Sequence, residues 1–285
     1  MKESLRPYDY ILTVTKNCPD IPPTICELIN PAVTPGHTVI VMIQNGLNIE
    51  RAMFAAFPTN IVLSGVSMID SHEGVLGTIH HEEHDSLFLG AFHNPSLSPE
   101  TETAVAKKFV EIYGAAGKTK VEYQEDVQWG RWRKLIFNAT LNPICAITGL
   151  DDARIRLAPG VVEGLVRPAQ KEIFDTAAKL GHVLPDDIME TMLNMDPMDL
   201  YLKPSMQCDI EKVSFAVSSA VYLLMMLQKG NYMEYEYLVG EPLREAEKAG
   251  IPTPTLKVIY EICKAMQWRL MEARGMVTTP PKRIL

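Results

Sequence analysis

Short apolar runs rich in β-branched residues alternate with amphipathic stretches through roughly the first 125 residues. Residues 10–15 (YILTVT), 37–43 (HTVIVMI) and 60–66 (NIVLSGV) have the length and composition of buried parallel strands. Residues 118–123 (KTKVEY) are expected to form the last strand of the same sheet, and residues 77–92 a two-stranded excursion. Residues 22–29 predict a short helix, with proline near its start and Asn30-Pro31 closing it, and residues 99–113 a longer one. Alternation of strand and helix predicts a parallel sheet with helices on its faces. Beyond Val127 the period changes. Residues 132–147, 161–180, 186–195, 234–249 and 253–273 carry helical spacing, and no strand pattern competes with it. The expected organisation is an α/β domain over residues 1–125 and an all-α domain over residues 126–285.

Composition adds exclusions. The 285 residues are 47% apolar and 22% charged, typical of a folded chain, and carry a formal net charge of −8. Lysine and arginine are scattered, which argues against a nucleic-acid surface or an anionic membrane face as the main partner. The five cysteines (Cys18, Cys26, Cys145, Cys208, Cys263) are odd in number and widely spaced, as in a cytoplasmic protein with reduced thiols. The first residues show no secretory pattern.

Candidate chemistry centres on residues 132–143, WRKLIFNATLNP. Lys134, Asn138 and Asn142 are spaced i, i+4, i+8 and would line one face of a helix, with Pro143 disturbing the ladder just beyond. An ammonium and two carboxamides in one stripe suit an oxygen-rich small molecule; an ordinary solvated face has the same pattern. Gln44-Asn45-Gly46 falls at the carboxyl end of a predicted parallel strand, where open α/β sheets bind ligands. Further on, Ser205-Met206-x-x-Asp209-Ile210 and Glu234-x-Glu236-Tyr237 set polar and acidic groups into apolar helical sequence, where acids need partners.

Thr15-Lys16, Gln44-Asn45-Gly46, Trp132-x-Lys134-Leu-x-x-x-Asn138-x-x-x-Asn142-Pro143, Ser205-Met206-x-x-Asp209-Ile210 and Glu234-x-Glu236-Tyr237 together resemble the ketopantoate reductase (2-dehydropantoate 2-reductase) family, in the family's order and over nearly the whole chain. The resemblance implies a Rossmann-type domain, a helical domain and an active site in the cleft between them. It also implies NADPH as hydride donor, a 2-keto acid as substrate, a cytoplasmic place in pantothenate biosynthesis and a chain that can form a homodimer. Lys134 matches the family's general acid, Glu234 the carboxylate that grips the substrate hydroxyl, and Asn138, Asn142 and Ser205 the groups that orient the substrate. Asn45 and Lys16 match residues at the cofactor edge of the sheet. Glu236 stands where the family often carries aspartate.

The chain departs from the family in two places. G-x-G-x-x-G occurs nowhere in it, so the sheet is expected to be an incomplete Rossmann type lacking the phosphate-binding turn. Residues 10–15 would then lie on an exposed apolar edge, and NADPH would bind poorly or not at all. In addition, Asp209 and Glu234 stand 25 positions apart; removing residues 213–229 (VSFAVSSAVYLLMMLQK) restores the family's spacing. That insert is short for a membrane span of roughly 17 to 25 apolar residues, and a helix apolar around most of its circumference would need burial. The preferred reading is a retained intron, because Val-Ser codons can encode a donor-like sequence and the closing lysine codon can end in AG. A non-catalytic relative acting as a helical interaction or dimerisation module, and a β-hydroxyacid dehydrogenase-type enzyme, are the competing readings. Among weaker signals, the cluster His80, His81, Glu82, Glu83, His84 reads as a solvated hairpin in preference to a metal site. Met189, Met192 and Met195 read as core, and Trp129 and Trp132 as packing near the domain boundary.

Overall fold

The computed structural model describes residues 6–69, 71–73, 77–81, 84–214 and 232–280. The chain divides into two compact units, Met1–Arg133 and Lys134–Leu285, with the division inside one helix.

The first unit contains strands β1 (Tyr10–Thr13), β2 (Val39–Ile43), β3 (Val62–Ser67), β4 (Ser71–Glu73), β5 (Ile79–His81), β6 (Ser86–Phe92) and β7 (Lys120–Tyr123). Five of them form one sheet in the order β1-β2-β3-β6-β7. The first three run parallel, joined through α1 (Ile25–Ile29) and α2 (Glu50–Ala56). Thr24 and Glu27 close a reciprocal capping box at the start of α1, satisfying two otherwise orphaned amides. Val41, Leu63, Leu87, Leu89, Ala91 and Phe109 form one buried cluster between the sheet and α3 (Pro99–Gly114). Each large apolar side chain fully buried there contributes about 1.5–3 kcal/mol.

Two sequence expectations need correction. β6 pairs antiparallel with β3, from Val62 opposite Phe92 to Ser67 opposite Leu87, so the sheet is parallel-dominated and not wholly parallel. The physical reason is the connection: β3 returns through a hairpin excursion, whereas a parallel neighbour needs a long crossover. Nor do residues 77–92 pair with each other. β5 pairs with β4, and β6 belongs to the main sheet. β1 lies at the sheet edge, with Leu12 45% and Val14 66% exposed.

The described part of the second unit is helical. After α4 (Val127–Asn138) come α5 (Leu141–Thr148), α6 (Asp152–Leu157), α7 (Arg167–Lys179), α8 (Ile188–Leu193), α9 (Ser205–Ser214), α10 (Glu241–Ala249) and α11 (Pro254–Ala273). Five-residue π segments, Val162–Val166 and Glu236–Gly240, lead into α7 and α10. The helix expected over residues 132–147 breaks at Ala139 and Thr140, so Asn142 does not continue the stripe of Lys134 and Asn138 on one helix. Pro143 explains the position of the break. Its ring excludes the carbonyl four residues back, Ala139, from helical geometry, while its missing N–H falls in the first turn of α5, where none is needed.

Two carboxylates, the buried Glu172 and the partly buried Glu236, brace this unit. Glu172 on α7 accepts the Thr255 and Leu256 amides at 2.9 and 2.8 Å, capping α11 from a distance. Glu236 accepts the Tyr260 hydroxyl at 2.9 Å and the Arg244 guanidinium at 3.0 Å. Burial and that carboxylate push the Tyr260 phenol up to about 12.

Residues 215–229 of the apolar insert lie outside the described residues. Among the described residues, no helix is long and apolar enough to cross a membrane, and no group of three His, Cys, Asp or Glu side chains is placed to hold a metal.

Candidate active site

β1 and β2 are adjacent and parallel, so their carboxyl ends leave the same edge of the sheet. Gln44 ties those ends together. Its Oε1 accepts the Thr13 hydroxyl at 3.1 Å and the Asn17 amide at 3.5 Å, and its Nε2 donates to the Thr15 carbonyl at 2.7 Å. Lys16 and Asn45, the residues expected at the cofactor edge, therefore sit on segments stitched together by one buried amide; both are half-buried. Gly46 follows with φ 106°, a conformation that favours glycine.

Arg131 is a component of this site that the sequence reading did not single out. Its Nη1 donates to the Gln44 carbonyl at 3.0 Å and the Gly46 carbonyl at 2.7 Å, and its Nε donates to Ser64 Oγ at 3.0 Å. The guanidinium lies 4.8 Å over the Phe92 ring. Burial pushes its pKa down to about 10, leaving it charged at neutral pH, and the Glu50 carboxylate favours that charge. Glu50 is itself buried, which raises its pKa, and it accepts Gln128 Nε2 at 3.2 Å. A signal was available in the sequence: Val127, Arg131 and Leu135 fall at i, i+4, i+8, and all three are buried, so Arg131 occupies a core stripe.

In the second unit, Lys134 and Asn138 lie one turn apart on α4, Lys134 half-buried and Asn138 buried. Asn142, on α5, is 1% exposed. Its Oδ1 accepts the Met206 amide at 3.0 Å, and its Nδ2 donates to Ser205 Oγ at 3.3 Å. Asn142 thus caps the start of α9 and meets the exposed Ser205, although the two are 63 residues apart. Glu234 is buried, and so is Asp209. The residue before Glu234 is clamped by Gln267, whose Oε1 accepts the Met233 N–H at 3.0 Å and whose Nε2 donates to the Met233 carbonyl at 3.4 Å. Gln267 was also missed by sequence reading; a buried amide inside a helix offers no local pattern that points to a distant backbone.

Each unit is of a recognisable class: a Rossmann-like α/β sheet with polar residues at its carboxyl edge, then a helical unit carrying an ammonium, carboxamides and a buried carboxylate. Comparison with known proteins makes the assignment specific. Residues 1–94 match the family described as Ketopantoate reductase PanE/ApbA, and residues 126–214 and 222–267 match its C-terminal part. The protein YDL144C of Saccharomyces cerevisiae is 32% identical over 291 aligned positions, covering 95% of this chain and 75% of that protein. The 2-dehydropantoate 2-reductase of Methylococcus capsulatus superposes with a TM-score of 0.71 at 28% identity, covering 94% of this chain and 77% of that one. D-mandelate dehydrogenase, solved with NADH and anilino(oxo)acetate, has a TM-score of 0.71 at 20% identity, covers 94% of this chain and 79% of that one, and shares the fold. The chain belongs to the ketopantoate reductase family.

Proposed function

We propose that the chain reduces 2-dehydropantoate, or a similar 2-keto acid, to the 2-hydroxy acid with NADPH, in the cytoplasm and as part of pantothenate synthesis. Family membership supports the reaction type. The observation that carries the reading is the contact of Asn142 with Ser205, two predicted substrate-orienting residues on different helices. In this reading a homodimer is compatible with function, and neither nucleic acid nor membrane is a partner.

A nicotinamide cofactor bound at the edge marked by Lys16 and Asn45 would supply the hydride for the keto carbon. Negative charge then develops on the former carbonyl oxygen, and Lys134 stabilises it before donating the proton that completes the alcohol. Asn138, Asn142 and Ser205 orient the substrate carboxylate and carbonyl, while Glu234 accepts a hydrogen bond from the substrate hydroxyl. Burial limits competition from water at Glu234, so a hydrogen bond from the substrate hydroxyl counts in recognition. Glu234→Ala is expected to lower kcat/KM for 2-dehydropantoate by about ten- to a hundredfold while changing that for pyruvate, which lacks the hydroxyl, by less than about threefold. Equal losses for both substrates would remove Glu234 from substrate recognition.

Lys16 and Asn45 fit the nicotinamide edge of a cofactor site, but none of the strand-to-helix turns described is a G-x-G-x-x-G cradle for pyrophosphate. A polypeptide of these 285 residues is therefore expected to bind NADPH weakly. Titration followed by tryptophan fluorescence should show no saturation in the micromolar range; micromolar saturation would overturn this part of the reading.

A further inference from the structure

We propose that Arg131 is a positioning residue that sets the conformation of the Gln44-Asn45-Gly46 turn and thereby the presentation of Asn45. The functional part of this inference rests on the role proposed for Asn45 above.

Packing alone does not call for an arginine at this position. A buried charge is expensive to desolvate, and a well-packed apolar side chain of similar volume often serves a core as well or better. What arginine alone supplies is a planar fork of donors. Here Nη1 holds the carbonyls of Gln44 and Gly46, the residues on either side of Asn45. In a trans peptide the C=O and N–H point in opposite directions, so holding those two carbonyls fixes the planes of both peptides that flank the Asn45–Gly46 step. The other contacts reference the turn to rigid elements: Nε to Ser64 in β3, and the guanidinium face to Phe92 in β6. Gln44 pulls the same turn toward the end of β1 through Thr13 and Thr15.

Two further observations agree. Gly46 has φ 106°, and Asn48, a non-glycine residue, has φ 57°. Such conformations persist where surrounding contacts over-determine them. Glu50, at the start of α2 immediately after the turn, supplies the charge that favours ionised Arg131. Nη2 of Arg131 and Oε2 of Glu50 are both buried without a hydrogen-bond partner, so the fork's engaged donors are those directed at the turn and at Ser64.

The test compares the full chain with Arg131→Lys and Arg131→Met by amide hydrogen exchange, resolved to short peptides. Both variants are expected to exchange about tenfold faster over residues 45–48, while β2 and β3 stay within about twofold of the parent. Lysine should not rescue the turn, because an ammonium standing in for Nη1 leaves the separate Nε anchor to Ser64 and the planar stacking on Phe92 unmade. Unchanged exchange at the turn in folded Arg131→Lys overturns the proposal, as does a uniform rise across the unit, which marks a merely structural role. Should Arg131→Met fail to fold, the charge-conserving variant decides.

Kinetics give the second readout: at saturating NADPH, Arg131→Lys is expected to lower kcat about tenfold with KM for the keto acid within about twofold. A KM effect with unchanged kcat contradicts the positioning role. Absence of turnover in the parent chain would instead count against the proposed function, and exchange would still decide whether Arg131 holds the turn.

Discussion

Replacing Lys134 with alanine is expected to lower turnover of a 2-keto acid by about a hundred- to ten-thousandfold, with cofactor affinity changed by less than about threefold. The asymmetry follows from where charge appears. In the ground state the carbonyl oxygen is neutral and an ammonium beside it contributes little. As hydride arrives, the oxygen becomes an alkoxide and needs both a positive neighbour and a proton. Lys134 is suited to supply both from α4, half-buried and one turn from the buried Asn138. Arginine at the same position would keep the charge but would not give up its proton, so Lys134→Arg should stay close to the alanine variant. Steady-state kinetics with the cofactor saturating check both variants. Turnover of Lys134→Ala within a few-fold of the parent would remove the general-acid role.

The second large effect concerns stability. Glu172→Ala leaves the Thr255 and Leu256 amides at the start of the 20-residue helix α11 without their carboxylate. Hydrogen bonds to charged groups are worth about 1.5–3 kcal/mol each, and these two share one group, so a loss of about 2–4 kcal/mol is expected. In a unit of this size that corresponds to about 5–15 °C in Tm. Glu172→Gln keeps one acceptor and should lie between the two. Thermal unfolding followed by circular dichroism distinguishes them; a Tm for Glu172→Ala within about 2 °C of the parent would show that solvent or another group satisfies those amides.

Period and punctuation made much of this architecture legible. Alternation in residues 10–66 predicted β1, β2 and β3 and their parallel pairing, because short β-branched runs separated by helical stretches leave few other solutions. The antiparallel placement of β6 was not legible: its apolar pattern suits either direction, and the hairpin excursion decided it. Likewise, the i, i+4, i+8 spacing of Lys134, Asn138 and Asn142 suggests one helical stripe with Pro143 disturbing it downstream, whereas the break lies upstream at Ala139 and Thr140. That break puts Asn142 on α5, where it caps α9 and meets Ser205.

Arg131 escaped notice for a different reason. In the string Arg131-Trp132-Arg133-Lys134 it reads as one charge in a basic run, and only its register with Val127 and Leu135 marks it as buried. Glu172 and Gln267 have no local signature at all, because their partners are backbone groups 83 and 34 residues away. Long-range satisfaction of buried polar groups is the part of a site that a one-dimensional pattern carries least.

The most direct test of the central claim is transfer of deuterium from NADPH labelled at nicotinamide C4. The chain is incubated with 2-dehydropantoate at millimolar labelled cofactor, high enough to offset weak binding, and the product is analysed by mass spectrometry. The parent chain is expected to form pantoate carrying one deuterium at C2, sharply reduced in Lys134→Ala. No labelled pantoate from a chain that fluorescence shows to hold the cofactor, or equal labelling by parent and variant, would contradict it.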